Sequence, residues 1–449
     1  MKTKRWLGCL VALLSGFATM AAGQAQERTV ARLFWQDDDT QQLKWGDLRL
    51  GGSDWSLDQQ TLTDFPTLDA QEQGLVQMVE DAGLLLVGVR DQADGNFGSG
   101  WVAVETGAVE EPHGDHSHWR IQHSPRVLMH RIDDQQGNPA HLYKYGAQLV
   151  LANDRKNGFT ITTAEQLRAA KTANEATNFY AGGNGHITLA VVGDTVAYST
   201  WIAPAGPEAG RVDVVGIGNH DGKGYSISCP TGTLHGATTN QGKVFFAPAD
   251  GVCWVVADRT VDADPASVEV HTISLGTDTE GKPLRTGAFA NFREHVLFVS
   301  GKGNDAKLCS LNAAKAEPTL HELPLPIGET TSLTTPIPLR TRSGKRVALI
   351  FNEDREAAEN DQLLVIDLDP NSDGDLSDAK LWKTVAIGRN QIAPGHKGHH
   401  DLAVLPNARF AVLSNPGDAT LSLLSLSDFE IVTTLNVGGN PGRLIAVGE

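Results

Sequence analysis

Seven short apolar runs, each ending in small or turn-forming residues, recur along this chain and constrain its fold more than any other feature. They are LLLVGVRD (84–91), QLVLANDR (148–155), TVAYSTW (195–201), KVFFAPADG (243–251), HVLFVSGKG (295–303), RVALIFNED (346–354) and FAVLSNPGD (410–418). Most of the spacings are about 50 residues, and those before the second and last copies are about 65, a period that marks a repeat architecture. The clearest copy is the stretch from His400 to Gly438. Its runs LAVLP, FAVLSN, TLSLLSL and EIVTTLNV are separated by Asn407-Ala408, Asn415-Pro416-Gly417-Asp418 and Ser427-Asp428, residues that favour turns. That pattern reads as a four-stranded antiparallel meander. One such sheet leaves two faces and its edges open, and radial stacking of copies is the arrangement that protects both. The expectation is therefore an all-β protein, a seven-bladed β-propeller, with an eighth degenerate blade as the alternative.

Two terminal stretches bear on closure. Residues 30–50 contain β runs through Trp35 and Trp45 around the acidic turn Asp37-Asp38-Asp39, and the chain ends in the β run Arg443 to Val447. Propellers commonly close by pairing strands from both termini. Residues 30–50 are accordingly expected to complete the blade that contains His400.

Residues 1–25 carry Lys2, Lys4 and Arg5 ahead of an apolar core and end in small residues, the pattern of a cleaved secretory signal peptide. The remainder, 26–449, is expected to form one secreted or periplasmic propeller domain, with a His-rich insertion at about 109–137 and a charged one at about 352–382. An oxidising compartment favours a disulfide between Cys229 and Cys253, which bracket two adjacent strands and leave Cys309 unpaired. The formal net charge of −17, from 54 acidic against 37 basic residues, opposes binding to nucleic acid or anionic membrane. It is compatible with attraction of cations and with solubility alone.

The chemistry-bearing pattern is a histidine that stands upstream of the apolar run in four repeats: His141, His186, His235 and His400. In the copies near 286 and 335, Thr286 and Thr335 occupy the matching place. Residues at the mouth of the innermost strand point toward the central channel, so imidazoles from different blades can converge there on a metal, with Asp401 beside His400 as a further ligand or a partner to one. The competing role is a hydrogen bond between blades; recurrence at the channel end favours the metal.

A second tract, His113-Gly114-Asp115-His116-Ser117-His118, has the composition of a metal-binding loop suited to exchanging ligands, the alternative being a polar surface loop. His396 and His399, beside His400, are further candidates for exchange. Asn219-His220-Asp221-Gly222 reads as turn chemistry. Asp369-x-Asn371-x-Asp373-Gly374-Asp375 has the oxygen spacing that opens a calcium loop, but Lys380 stands where a bidentate carboxylate belongs, which favours an Asx-rich turn. Residues 163–179 are the helical window, with Thr163 as its cap. No Gly-x-Ser-x-Gly elbow, His-Glu-x-x-His helix, dinucleotide fingerprint, phosphate loop or haem-attachment motif is present.

These features together resemble the AztD family of periplasmic zinc metallochaperones. The resemblance rests on His113-Gly114-Asp115-His116, on Cys229-Pro230 through Leu234-His235-Gly236 to Cys253, and on the final His399-His400-Asp401 blade, and it covers most of residues 30–449. It implies a β-propeller that holds Zn2+ at a channel-end site on His141, His186, His235 and His400. It also implies a mobile histidine segment at 113–118, and delivery to the zinc-specific periplasmic solute-binding protein of an ABC importer. The chain departs from the family in lacking a His-Asp run after the signal peptide and in its inserts at 163–179 and 369–380. The reading is a monomeric metallochaperone, not an enzyme. Its rivals are a protein-interaction propeller without metal and a secreted metal-dependent enzyme such as a lactonase or oxidase.

Overall fold

The computed structural model describes residues 27–91, 98–113, 116–394 and 397–448. The expected signal peptide, Asp115 and His396 lie outside these residues. No helix among the described residues is long and apolar enough to cross a membrane.

Eight small antiparallel sheets form the blades of a propeller. Seven are meanders in chain order. Blade 2 begins at Gln73, blade 3 at Pro139, blade 4 at Ile187, blade 5 at Ala237, blade 6 at Ala290, blade 7 at Thr331 and blade 8 at Leu402. The seven apolar runs are the second strands of these blades, not the innermost ones. Leu84–Asp91, for example, is buried along nearly its whole length because it is packed on both faces by neighbouring blades. Outermost strands alternate instead: Ile431–Asn436 has one half-buried and one exposed face. Each fully buried Leu or Val on the inner strands contributes roughly 1.5–3 kcal/mol relative to exposure. The cores lie between blades, as where Phe34 and Val447 of blade 1 pack with Leu85 and Val102 of blade 2.

Closure differs from expectation. Blade 8 is complete within Leu402–Asn436, so residues 30–50 do not finish the sheet of His400. They belong to a blade of their own, the eighth of the ring. Arg28–Asp37, Gln42–Gly51 and Asp54–Thr61 supply its three outer strands, and Pro441–Val447 its innermost. The register pairs Trp35 with Leu444 and Arg32 with Val447. Beyond the strands, the Asn440 N–H donates to Asp37 Oδ1 at 3.1 Å and the Asp38 N–H to Asn440 O at 2.9 Å. Leu444 then joins blade 1 to blade 8, its N–H donating to Asp401 Oδ2 at 2.9 Å.

The strand order assigns the ends of the ring. Innermost strands start at one face, which also carries the connections between second and third strands; connections between third and fourth strands lie at the opposite face. The helix Ala164–Ala169, capped by the Thr163 hydroxyl accepting from the Gln166 N–H, and the hairpin Ala108–His113/His116–Ile121 both occupy that opposite face. Gly83 shows the packing of the hairpin base. At φ +78° it turns between the first two strands of blade 2, and a Cβ there would lie 2.5 Å from Ala108 O.

Candidate metal site

Three of the four repeat histidines meet at the channel mouth. His141 lies near the start of the innermost strand Pro139–Tyr145 of blade 3, His186 immediately precedes that of blade 4, and His235 stands two residues before that of blade 5. Gly236 lets the chain turn there at φ +124°, a position where a Cβ would approach Gly287 O to 2.7 Å. His141 Nε2 lies 3.1 Å from His186 Nε2, which in turn lies 3.3 Å from His235 Nε2. One nitrogen of each of the three rings falls within 4.8 Å of those of the other two.

The far nitrogens explain what those contacts are. His186 Nδ1 donates to Asp154 Oδ2 at 3.0 Å, and His235 Nδ1 donates to Gly287 O at 3.0 Å. With the ring proton committed to Nδ1, the Nε2 of each neutral imidazole presents a lone pair. Lone pairs that close repel unless a cation sits among them. Tetrahedral zinc with bonds of ~2.0–2.1 Å needs ligand nitrogens about 3.3 Å apart, so the two short separations match the edges of such a polyhedron. Burial holds the His235 imidazole below its ordinary value, reinforced by His186 and Arg285, although the Gly287 carbonyl acts the other way. Neutral imidazole is the form that binds metal.

Asp154 is the partner that reasoning from the sequence missed. It sits on the turn after the second strand of blade 3, buried, where its Oδ1 accepts the Ile187 N–H at 3.1 Å and its Oδ2 meets Arg90 Nη1 at 3.3 Å. A ligating histidine oriented by a carboxylate is a recurrent feature of metal sites. The signal was the acidic residue closing the run QLVLANDR. The triad opens onto a cavity of about 610 Å³ at the centre of the ring, which Thr286 and Thr335 also line, as the repeat alignment placed them.

His400 is not brought to this cluster. Its ring is wholly buried against Phe351, with Nε2 2.9 Å from Asp361 Oδ2 and Nδ1 2.7 Å from Ser414 O. Asp361 also accepts from the Asp354 and Asn390 backbone N–H groups, both at 2.7 Å. His400 therefore fastens blade 8 to blade 7, the hydrogen-bonding role considered above. Asp401, whose burial raises its carboxyl above the ordinary value, is engaged with Leu444. His399 Nδ1 is held by Glu353 Oε2 at 2.7 Å.

On the hairpin, His113 and His118 are exposed, with ring centroids 5.7 Å apart, and the His116 backbone is in register with that of His113. They stand at the face opposite the triad, separated from it by the length of an inner strand, roughly 20 Å for six residues. Cys229 and Cys253 are free thiols in the core, not a disulfide. The Cys253 thiol beside it, together with burial, pushes the Cys229 thiol well up. Most of the side-chain oxygens of the 369–375 loop are engaged within the protein, Asp369 Oδ1 being an exception. Asp369 binds Arg346 and the Gly374 N–H, and Asn371, Asp373 and Asp375 each accept the N–H two residues on. It is an Asx-rich turn.

No known protein family matches this sequence, and no curated protein does. Solved structures do match. Apo AztD from Citrobacter koseri superposes with a TM-score of 0.62 at 13% identity, over 94% of this chain and 98% of the other. The fold is that of AztD. A second AztD structure from Citrobacter koseri gives 0.61 at 15% identity, over 94% and 99%. The AztD-like propeller is shared more distantly with a putative 6-phosphogluconolactonase from Bacteroides uniformis, TM-score 0.51 at 9% identity, over 94% and 100%.

Proposed function

We propose that this chain is a periplasmic zinc metallochaperone, which carries Zn2+ on His141, His186 and His235 and hands it to the zinc-specific solute-binding protein of an ABC importer. The observation that carries the reading is the convergence of three imidazoles, with Nε2 separations of 3.1 and 3.3 Å, two of which have their Nδ1 protons engaged by Asp154 and Gly287 and so present Nε2 lone pairs to the cluster. Three protein ligands leave a tetrahedral ion one open position, and here that position faces the cavity. A partner's ligand can enter there, form a fourth bond, and draw the ion off as the imidazoles release in turn. The hairpin histidines, at the far face, act as a second and independent metal site and do not exchange directly with the triad. A hydrolytic enzyme would place a general base beside the metal-bound water, and no residue described as lining the cavity is a carboxylate.

Elemental analysis and chelator competition test the reading. One tight zinc per chain is expected, abolished by His235→Ala and by His186→Ala, whereas His113→Ala/His118→Ala leaves it within about threefold. Full zinc retention in His235→Ala would refute the triad. Transfer of zinc to the solute-binding protein, followed with the two separable proteins, tests the partner; transfer no faster than chelator-limited release would refute it.

A further inference from the structure

The charge of the central cavity runs against that of the molecule. The chain carries a net charge of −17, yet the described residues that line the cavity include Arg90, Lys397 and Arg443 and no Asp or Glu. Blade order spreads these groups around the channel: the histidines belong to blades 3, 4 and 5, while Lys397 leads into blade 8, Arg443 lies on blade 1 and Arg90 on blade 2. The imidazoles and the Lys397–Arg443 pair therefore occupy opposite sides of one cavity.

The cations differ in how far they are satisfied. Arg90 is tied to Asp154. Arg443 approaches Asp401 Oδ1 only to 3.9 Å, a long ion pair, while the other oxygen, Oδ2, accepts the Leu444 N–H. Among the described residues the Lys397 ammonium makes no hydrogen bond or ion pair; the Asp38 carboxylate, which accepts from the Gly398 N–H, attracts it and Arg443 from longer range. Among the described residues the guanidinium of Arg285, close to His235, bonds only backbone carbonyls, Thr233 O at 3.1 Å and Thr286 O at 3.4 Å. A divalent ion on the triad would add two more positive charges. Such a field concentrates anions, and charge-assisted bonds to Lys and Arg would hold them.

We propose that the cavity binds a small dicarboxylate or tricarboxylate, one carboxylate completing the coordination of the metal on His141, His186 and His235 and another meeting Lys397 and Arg443. The inference rests on the metal reading above. A carboxylate oxygen suits the open position of a borderline divalent ion. A cavity of about 610 Å³ is of the size that small-molecule sites occupy. The metal would then travel as a neutralised complex, and a partner would have to displace the anion to reach it.

The test loads the full chain with cobalt(II) in a buffer free of carboxylates and follows its visible absorption during titration with succinate, then with acetate. Succinate is expected to change the spectrum and to bind at least about tenfold more tightly than acetate, through its second carboxylate. Lys397→Gln/Arg443→Gln should lose that advantage and bind the two anions alike, with cobalt affinity kept within about threefold. Should the double variant misfold, Lys397→Gln alone must still weaken succinate more than acetate. Cobalt uptake with no response to succinate, or with succinate and acetate bound alike by the unmodified protein, overturns the anion site and leaves the metal reading standing. No cobalt uptake overturns both.

Discussion

Asp154→Asn isolates the orientation of a ligand from its presence. In the native site Asp154 Oδ2 accepts from His186 Nδ1 at 3.0 Å while Oδ1 accepts from the Ile187 N–H at 3.1 Å. An asparagine has one acceptor oxygen. If it stays on Ile187, the amide nitrogen faces His186 Nδ1 and forces that nitrogen to accept, moving the ring proton to Nε2 and removing a metal lone pair. If the amide flips, two donors meet at Ile187. Either arrangement also strips Arg90 of its counter-charge at 3.3 Å and makes the field at the metal more positive. Loss of such an orienting partner typically costs 10–100-fold in metal affinity, about 1.4–2.7 kcal/mol. Chelator competition at pH 7.5 measures it, with urea unfolding of the metal-free protein as the control for folding. In a His186→Ala background the substitution should add little, because the two residues act as one unit. Zinc affinity within about twofold of the unmodified protein, in a folded variant, would refute the tautomer argument.

Three further outcomes follow from the same geometry. Burial depresses the His235 value, so zinc affinity should be flat from pH 7.5 to about 6.5 and fall below it, and metal-free protein should lose stability over the same acid range, since the unfolded chain takes up the proton first; an affinity that does not change down to pH 5 would count against imidazole ligands. His400→Ala should cost about 3–5 kcal/mol in urea unfolding, because it leaves the buried Asp361 carboxylate with only the neutral donors of Asp354 and Asn390, while zinc affinity is retained; lost zinc with unchanged stability would reverse the assignment of His400. Deleting residues 441–449 removes the innermost strand of blade 1 and uncovers the edge of Arg28–Asp37. Cooperative unfolding should disappear, and a wild-type denaturant midpoint would refute closure by the C-terminal strand.

Local pattern carried the fold a long way, for a physical reason. Second strands are packed on both faces, so they appear as unbroken apolar runs, and all seven copies were visible. Blade 1 was not counted because its strands come from the two ends of the chain, and a period cannot register a unit split by nearly the whole sequence. That split is also why the sequence points residues 30–50 to the sheet of His400: the β run Arg443 to Val447 is legible, but its partner strand depends on ring closure alone.

The histidines divide along the same line. Their recurrence before the inner strands was legible, as were Thr286 and Thr335, since position in a repeat is a property of sequence. Which of them point into the channel was not. His400 occupies the equivalent place in blade 8, but Asp361 and Ser414 O lie within reach of both its ring nitrogens and hold it in the interface between blades. Asp154, 32 residues before His186, becomes its partner only when blade 3 packs beside blade 4. The hairpin at 108–121 was readable as rich in histidine, but the face from which it projects follows from strand direction in blade 2. Sequence by itself determined a ring of β-meanders with imidazoles at their mouths, because burial and turn chemistry are local. Only the tertiary structure decided that the ring has eight blades, that three imidazoles meet, and that the fourth fastens the ring, because each depends on contacts between blades far apart in the chain.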